Sequence, residues 1–125
     1  YRRIYSRSRD GGQSYYREGI HEELFDPPCN AGITGFCTSE GKHVFLFTKP
    51  GADEPKNRLD LTAYFSHDDG RSWIKGNRVS QTGGYSDIAV LPDKRIIVLY
   101  ENRTDDTLPH GLLLARFNLE WLTGE

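Results

Sequence analysis

Two short stretches carry acids and hydroxyls at matched spacing. Ser8, Asp10, Gly12, Ser14 and Tyr15 stand 58 positions before Ser66, Asp68, Gly70, Ser72 and Trp73. An aspartate between two serines could serve as a catalytic carboxylate, a cation ligand or the acceptor at the centre of a turn. Asp68 and Asp69 lie side by side, but the further acids of an EF-hand calcium loop are missing. The turn reading uses every residue. Asp68 accepts nearby backbone N–H groups, as in an Asx-turn. Gly70 supplies a backbone conformation that a side chain forbids. Ser66 and Ser72 bond locally, and Trp73 packs inward with its N–H reaching a partner. The pattern S-x-D-x-G-x-[ST]-[WY] is therefore expected to staple a hairpin, with no catalytic or metal-binding role.

The remaining reactive residues are scattered. His21, His43, His67 and His110 show no ligand spacing and no Ser or Cys partner, so they are read as surface residues. Cys29 and Cys37 flank Asn30–Phe36, which reads as a strand. Eight extended steps separate the two sulfurs by roughly 26 Å, and a disulfide needs α-carbons within about 7 Å, so no bond is expected. Cys29 falls in the loop Asp26-Pro27-Pro28-Cys29-Asn30 and is not assigned to a site. Taken singly, Arg58 is a surface arginine before a strand, Tyr85 a strand-edge aromatic and Glu101 a solvated strand end.

The elements that must position these residues are strands. Arg3–Arg7, Ile33–Phe36, Val44–Thr48, Leu59–Phe65, Ile88–Leu91, Ile96–Tyr100 and Leu112–Phe117 are short, rich in β-branched and aromatic residues, and bounded by Gly, Pro, Asn or Asp. Residues 39–42 and 92–95 read as hairpin turns. Only Leu119–Leu122 hints at a helical turn. A β-rich unit that recurs every 58 residues has the form of a propeller blade. About two blades and flanking strands fit in 125 residues, and a closed ring does not. The chain also has no methionine and opens inside a strand. It is therefore expected to be the C-terminal piece of a longer chain.

Composition narrows the partners. Apolar residues at 36% and charged residues at 27% describe a globular chain rather than a disordered one. The net charge of −2, with both signs mixed along the chain, argues against a nucleic-acid partner. The most apolar run, residues 95–100, is too short to span a bilayer as a helix.

The repeated motif resembles the Asp box of sialidases (neuraminidases), and three further stretches resemble that family. They are Asn57-Arg58-Leu59-Asp60-Leu61-Thr62, then Gly84-Tyr85-Ser86-Asp87-Ile88 ahead of the Pro92-Asp93 hairpin, and Leu99-Tyr100-Glu101 with Phe117–Leu122 closing the chain. The resemblance is to the C-terminal third of a bacterial or lysosomal-type exo-α-sialidase. It implies an all-β fold of six-bladed β-propeller type, with residues 1–125 forming the C-terminal part. It implies hydrolysis of terminal sialic acids with retention and without a cofactor or metal. Arg58 would be the last of three arginines clamping the substrate carboxylate, Tyr85 the nucleophile, and Glu101 the partner that orients the first arginine of the clamp. Sialic acid-containing glycans and the N-terminal blades of the same protein are the partners implied.

The family pattern also needs an aspartic acid/base, a glutamate that activates the tyrosine, and two more arginines, all from earlier blades. Arg2 and Arg3 lie too close to the first Asp box to supply them and are read as strand residues. The alternatives are a non-catalytic Asp-box propeller that binds glycan or protein, and an Asp-box glycosidase with paired carboxylates. Geometry separates these readings, because only the sialidase reading requires Arg58, Tyr85 and Glu101 to converge.

Overall fold

Short runs bounded by turn residues form nine strands among the described residues of a computed structural model, which comprise 2–51, 58–103 and 110–125. They are β1 (Arg2–Arg7), β2 (Arg17–Phe25), β3 (Gly32–Cys37), β4 (His43–Pro50), β5 (Leu61–Ser66), β6 (Ile74–Arg78), β7 (Ser86–Val90), β8 (Ile96–Glu101) and β9 (Leu112–Phe117). They form three antiparallel sheets in the orders β1-β2, β3-β4-β5-β6 and β7-β8-β9. One short helix, α1 (Leu119–Thr123), is capped by the Asn118 side chain, which accepts from Trp121 N at 2.9 Å. No helix among the described residues is long and apolar enough to cross a membrane.

The four-stranded sheet is covered on both faces. On β5, Leu61, Ala63 and Phe65 pack with Val44, Leu46 and the third sheet's Ile88, Ile96 and Val98. Tyr64 points the other way, to Phe47 and to Leu24 of β2. All six residues of β5 are buried as a result. The sequence places β5 in the middle in a legible way, since Leu-Thr-Ala-Tyr-Phe-Ser has no charge on either face. The hairpins at 39–42 and 92–95 close as expected, with Thr38 N donating to Lys42 O at 2.8 Å and Leu91 N to Arg95 O at 2.8 Å.

Two strands escape the sequence reading. β2 carries Glu18, Glu22 and Glu23, and its inward residues His21 and Leu24 are three apart rather than two. The cause is a bulge, because Arg3 pairs with His21 while Arg2 pairs with Phe25. β6 is Ile-Lys-Gly-Asn-Arg, with no apolar alternation, and it exists as the outer partner of β5. His21 is a correction as well. It is buried, its ring lies 4.5 Å from that of Tyr5, and its Nδ1 is 3.3 Å from Glu23 Oε1. His43, His67 and His110 are exposed, as read.

Both Asp boxes adopt one hydrogen-bond pattern, the first joining β1 to β2 and the second β5 to β6. Ser66 Oγ donates to Asp68 Oδ1 at 2.7 Å and accepts from Gly70 N at 2.9 Å. Asp68 accepts from Ser72 N at 2.9 Å and from Ser72 Oγ at 2.5 Å. Ser8, Asp10, Gly12 and Ser14 repeat these bonds at 2.7, 2.8, 2.9 and 2.5 Å. Gly12 and Gly70 take φ of 89° and 74°, as the turn requires. Both carboxylate oxygens of Asp68 and Asp10 are thus occupied by the turn itself. Trp73 lies 5.5 Å from the Phe47 ring and 6.5 Å from His21. Its indole N–H, expected to find a partner, is buried and meets no acceptor among the described residues.

Ser66 is buried and Ser8 is only half-buried, so the two boxes differ in cost. Ser66→Ala is expected to lose about 1–3 kcal/mol in urea unfolding, because two N–H groups lose an acceptor out of water. Ser8→Ala is expected to lose measurably less.

The hydroxyl and backbone donors of Ser14, with Ser8, hold the Asp10 carboxyl down at about 2, below its ordinary 3.8. They act the same way on Asp68, led by Ser72. A depressed folded-state value contributes stability above pH 4 that is lost as pH falls toward 2. Unfolding midpoints measured between pH 5 and 2 should therefore fall, and Asp10→Asn with Asp68→Asn should flatten that decline.

Candidate functional site

Strand register brings Tyr85 to Glu101. Ser86 pairs with Tyr100 across β7 and β8, so the residue before β7 stands opposite the last residue of β8. Glu101 N donates to Tyr85 O at 3.0 Å, and Tyr85 N donates to Glu101 Oε2 at 2.8 Å. The Glu101 carboxylate thus holds the tyrosine's own backbone, and Arg103 Nε lies 3.8 Å from the same oxygen. Gly84 makes this approach possible. It takes φ of 137°, and a Cβ there would overlap the Glu101 carboxylate.

Arg58 arrives from the neighbouring sheet, three residues before β5. Its guanidinium carbon lies 5.2 Å from the centroid of the Tyr85 ring, and Nη2 donates to Pro28 O at 2.8 Å. A hydroxyl pair fastens the two sheets beside it, with Thr48 Oγ1 and Ser86 Oγ 2.9 Å apart. Tyr85 remains 44% exposed as a residue while its backbone is fixed. Arg58, Tyr85 and Glu101 are therefore brought together at one end of the sheets, while Asn57 lies outside the described residues.

Beside them is an open cleft of about 680 Å³, lined by Arg3, Asn30, Tyr85, Ser86, Tyr100 and Glu101 among others. Arg3 is a strand residue of β1, as read, and its side chain lines this cleft. The Arg3 guanidinium forms an ion pair with buried Asp26 and donates to Cys29 O at 2.9 Å. Burial raises the Asp26 carboxyl above its ordinary value, against the opposing pull of Arg3 and Lys49. Burial likewise pushes the Cys29 thiol up to about 11, with Arg58 opposing. Cys29 and Cys37 are both free.

Sequence reasoning set Arg3 aside as a strand residue and missed its partner Asp26, and it missed Arg103. A signal for the first two was present, since an arginine on the strand that opens a hairpin and an aspartate just after it are natural ion-pair partners. Arg103 offers none, because its role comes only from the bridge between Gly83 and Arg103 beyond the end of β8.

The Gly84 position gives a direct test of this geometry. Gly84→Ala is expected to cost about 1–3 kcal/mol, combining backbone strain with displacement of Glu101. Chemical denaturation would measure it, and an unchanged midpoint would refute the fixed Tyr85–Glu101 contact.

No family model matches the sequence. It is 36% identical over 124 residues to a sialidase of Micromonospora viridifaciens, covering 94% of this chain and 18% of that protein. It is 32% identical over 103 residues to a sialidase of Vibrio cholerae serotype O1, covering 75% of this chain and 13% of that protein. The chain thus spans less than a fifth of the length of these relatives. By fold it is similar to the crystal structure of an intramolecular trans-sialidase from Ruminococcus gnavus in complex with oseltamivir carboxylate. The TM-score is 0.71 at 20% identity, covering 93% of this chain and 28% of that one. The three sheets are accordingly blades of a sialidase-type β-propeller.

Proposed function

We propose, from the premise that this chain belongs to the sialidase family, that Arg58, Tyr85 and Glu101 form part of the site of an exo-α-sialidase. The observation that carries this reading is the placement of the Arg58 guanidinium 5.2 Å over the ring of a half-exposed tyrosine whose amide is held by Glu101. The substrate class explains the choice of residues. The anomeric carbon of a sialic acid bears a carboxylate, so an anionic Asp or Glu nucleophile is repelled. A neutral phenol that gives up its proton as it attacks avoids that repulsion, and a Tyr nucleophile is a known variant among retaining glycosidases.

In this mechanism Tyr85 Oη attacks the anomeric carbon as its proton passes to a base, and the leaving alcohol takes a proton from an acid. Water then displaces the tyrosine, and the two inversions give retention. Arg58, held by Pro28 O through Nη2, offers its remaining guanidinium donors to the substrate carboxylate. Glu101 fixes the backbone of Tyr85 and, in the complete site, orients the first arginine of the clamp. The acid/base aspartate, the activating glutamate and the other two arginines come from N-terminal blades outside these 125 residues. The limited coverage of the relatives supports that division, and the glycans bearing terminal sialic acid are the partners it assigns.

The test is release of the fluorophore from a fluorogenic α-sialoside by a longer protein that contains this chain. Tyr85→Phe is expected to lower kcat at least ~10³-fold, as removal of a nucleophile does. Arg58→Lys is expected to raise KM roughly 10- to 100-fold through loss of a charge-assisted pair. Residues 1–125 alone should release nothing. A longer protein that binds sialic acid without turnover would instead be a lectin-like propeller.

A further inference from the structure

The segment from Phe25 to Cys29 connects β2 to β3 and carries two prolines, Pro27 and Pro28, which have no N–H to donate. It has few N–H groups of its own, and three of its carbonyls take side-chain donors from elsewhere. Three cations supply them. Lys49 Nζ donates to Phe25 O at 2.5 Å, Arg58 Nη2 to Pro28 O at 2.8 Å, and Arg3 Nη2 to Cys29 O at 2.9 Å. The Asp26 carboxylate lies among them, 4% exposed and ion-paired with Arg3.

We infer that Asp26 and Arg3 are positioning residues for Arg58, holding the Pro27–Cys29 segment so that Pro28 O fixes the guanidinium over Tyr85. The inference rests on the proposed role of Arg58 in binding the substrate carboxylate. Without the ion pair, Arg3 is not oriented toward Cys29 O. The diproline segment then loses a donor one residue from the carbonyl that holds Arg58. Removing one partner also leaves the other charge buried and uncompensated, so the segment relaxes toward water. Phe47 backs the arrangement, with the Arg3 guanidinium carbon 5.3 Å from its ring centroid. The three cations come from three different strands or their approaches, and the one segment they share leads directly into Asn30 and Ala31, which line the cleft. Arg58 therefore does not stand alone on its loop. It is one arm of a clasp whose other arms are in β1 and β4.

The experiment measures KM and kcat on the fluorogenic α-sialoside in the longer protein, with melting temperatures alongside. Asp26→Asn should raise KM about tenfold, the size of coupling expected within one hydrogen-bonded network, and leave kcat within about twofold. In an Arg58→Ala background the same change should add nothing to KM, because the group it positions is gone. An equal KM penalty in both backgrounds would overturn the inference, as would no KM effect of Asp26→Asn. If Asp26→Asn fails to fold, the paired replacement Arg3→Leu with Asp26→Leu carries the test. An apolar pair removes the uncompensated charge and should recover the melting temperature. It should still show the raised KM, since Cys29 O lacks its donor, and recovery of both quantities would overturn the inference. Should Arg58→Ala itself leave KM unchanged, the sialidase role of Arg58 falls and this inference with it. A KM raised by Arg58→Ala and untouched by Asp26→Asn defeats this inference alone.

Discussion

Everything in this structure depends on the middle sheet being buried on both faces. β5 contributes Leu61, Ala63 and Phe65 to one side and Tyr64 to the other, so two further sheets must cover it. Burying a large apolar side chain is worth about 1.5–3 kcal/mol, and β4 and β5 together supply many such side chains. Stacking is the only arrangement that uses both faces at once. The stacked sheets then bring together residues far apart in sequence. Arg3 lies in β1, Arg58 just before β5 and Tyr85 just before β7, so each reaches one end of the stack from a different sheet.

Within that frame the division of labour is clear. The serines and aspartates of the Asp boxes satisfy one another locally and ask nothing of the ends of the sheets where the site lies. Arg7 Nη1 donates to Asp69 O at 2.9 Å, tying the first sheet to the second box. The opposite requirement holds near Tyr85. There, Gly84 and the diproline segment leave backbone groups unable to satisfy themselves, and charged side chains step in. Glu101 takes the Tyr85 amide, and Arg58, Arg3 and Lys49 take carbonyls. Self-contained turns and dependent ones thus separate scaffold from site.

Much of this was legible in the sequence. Seven strands announced themselves because each is short, apolar and bounded by turn residues. The Asp boxes could be solved as turns from residue types alone, since hydroxyl, acid and glycine recur at fixed offsets. The family resemblance then singled out Arg58, Tyr85 and Glu101, which residue type alone left as surface groups. What stayed hidden depends on contacts that no local pattern records. β2 was masked by its bulge and its glutamates, and β6 by its dependence on β5. His21 was misread because a histidine gives no sign of burial until its neighbours, Tyr5 and Trp73, are known. Arg3 was read as a strand residue, which it is, but its contact with Asp26 depends on a partner 23 residues away.

The inward placement of Arg3 on β1 has a physical reason. An inward arginine is tolerable only where its charge is met and its stem is packed. Asp26 meets the charge, Phe47 faces the guanidinium, and Cys29 O takes one donor. The register with β2 lies between the first Asp box at one end and the bulge at the other, and it pairs Ile4 with Ile20. Residues alternate sides along a strand, so the register that sends Arg3 to the cleft sends Ile4 to the opposite face. The ion pair and the Asp box therefore set the direction of β1 together.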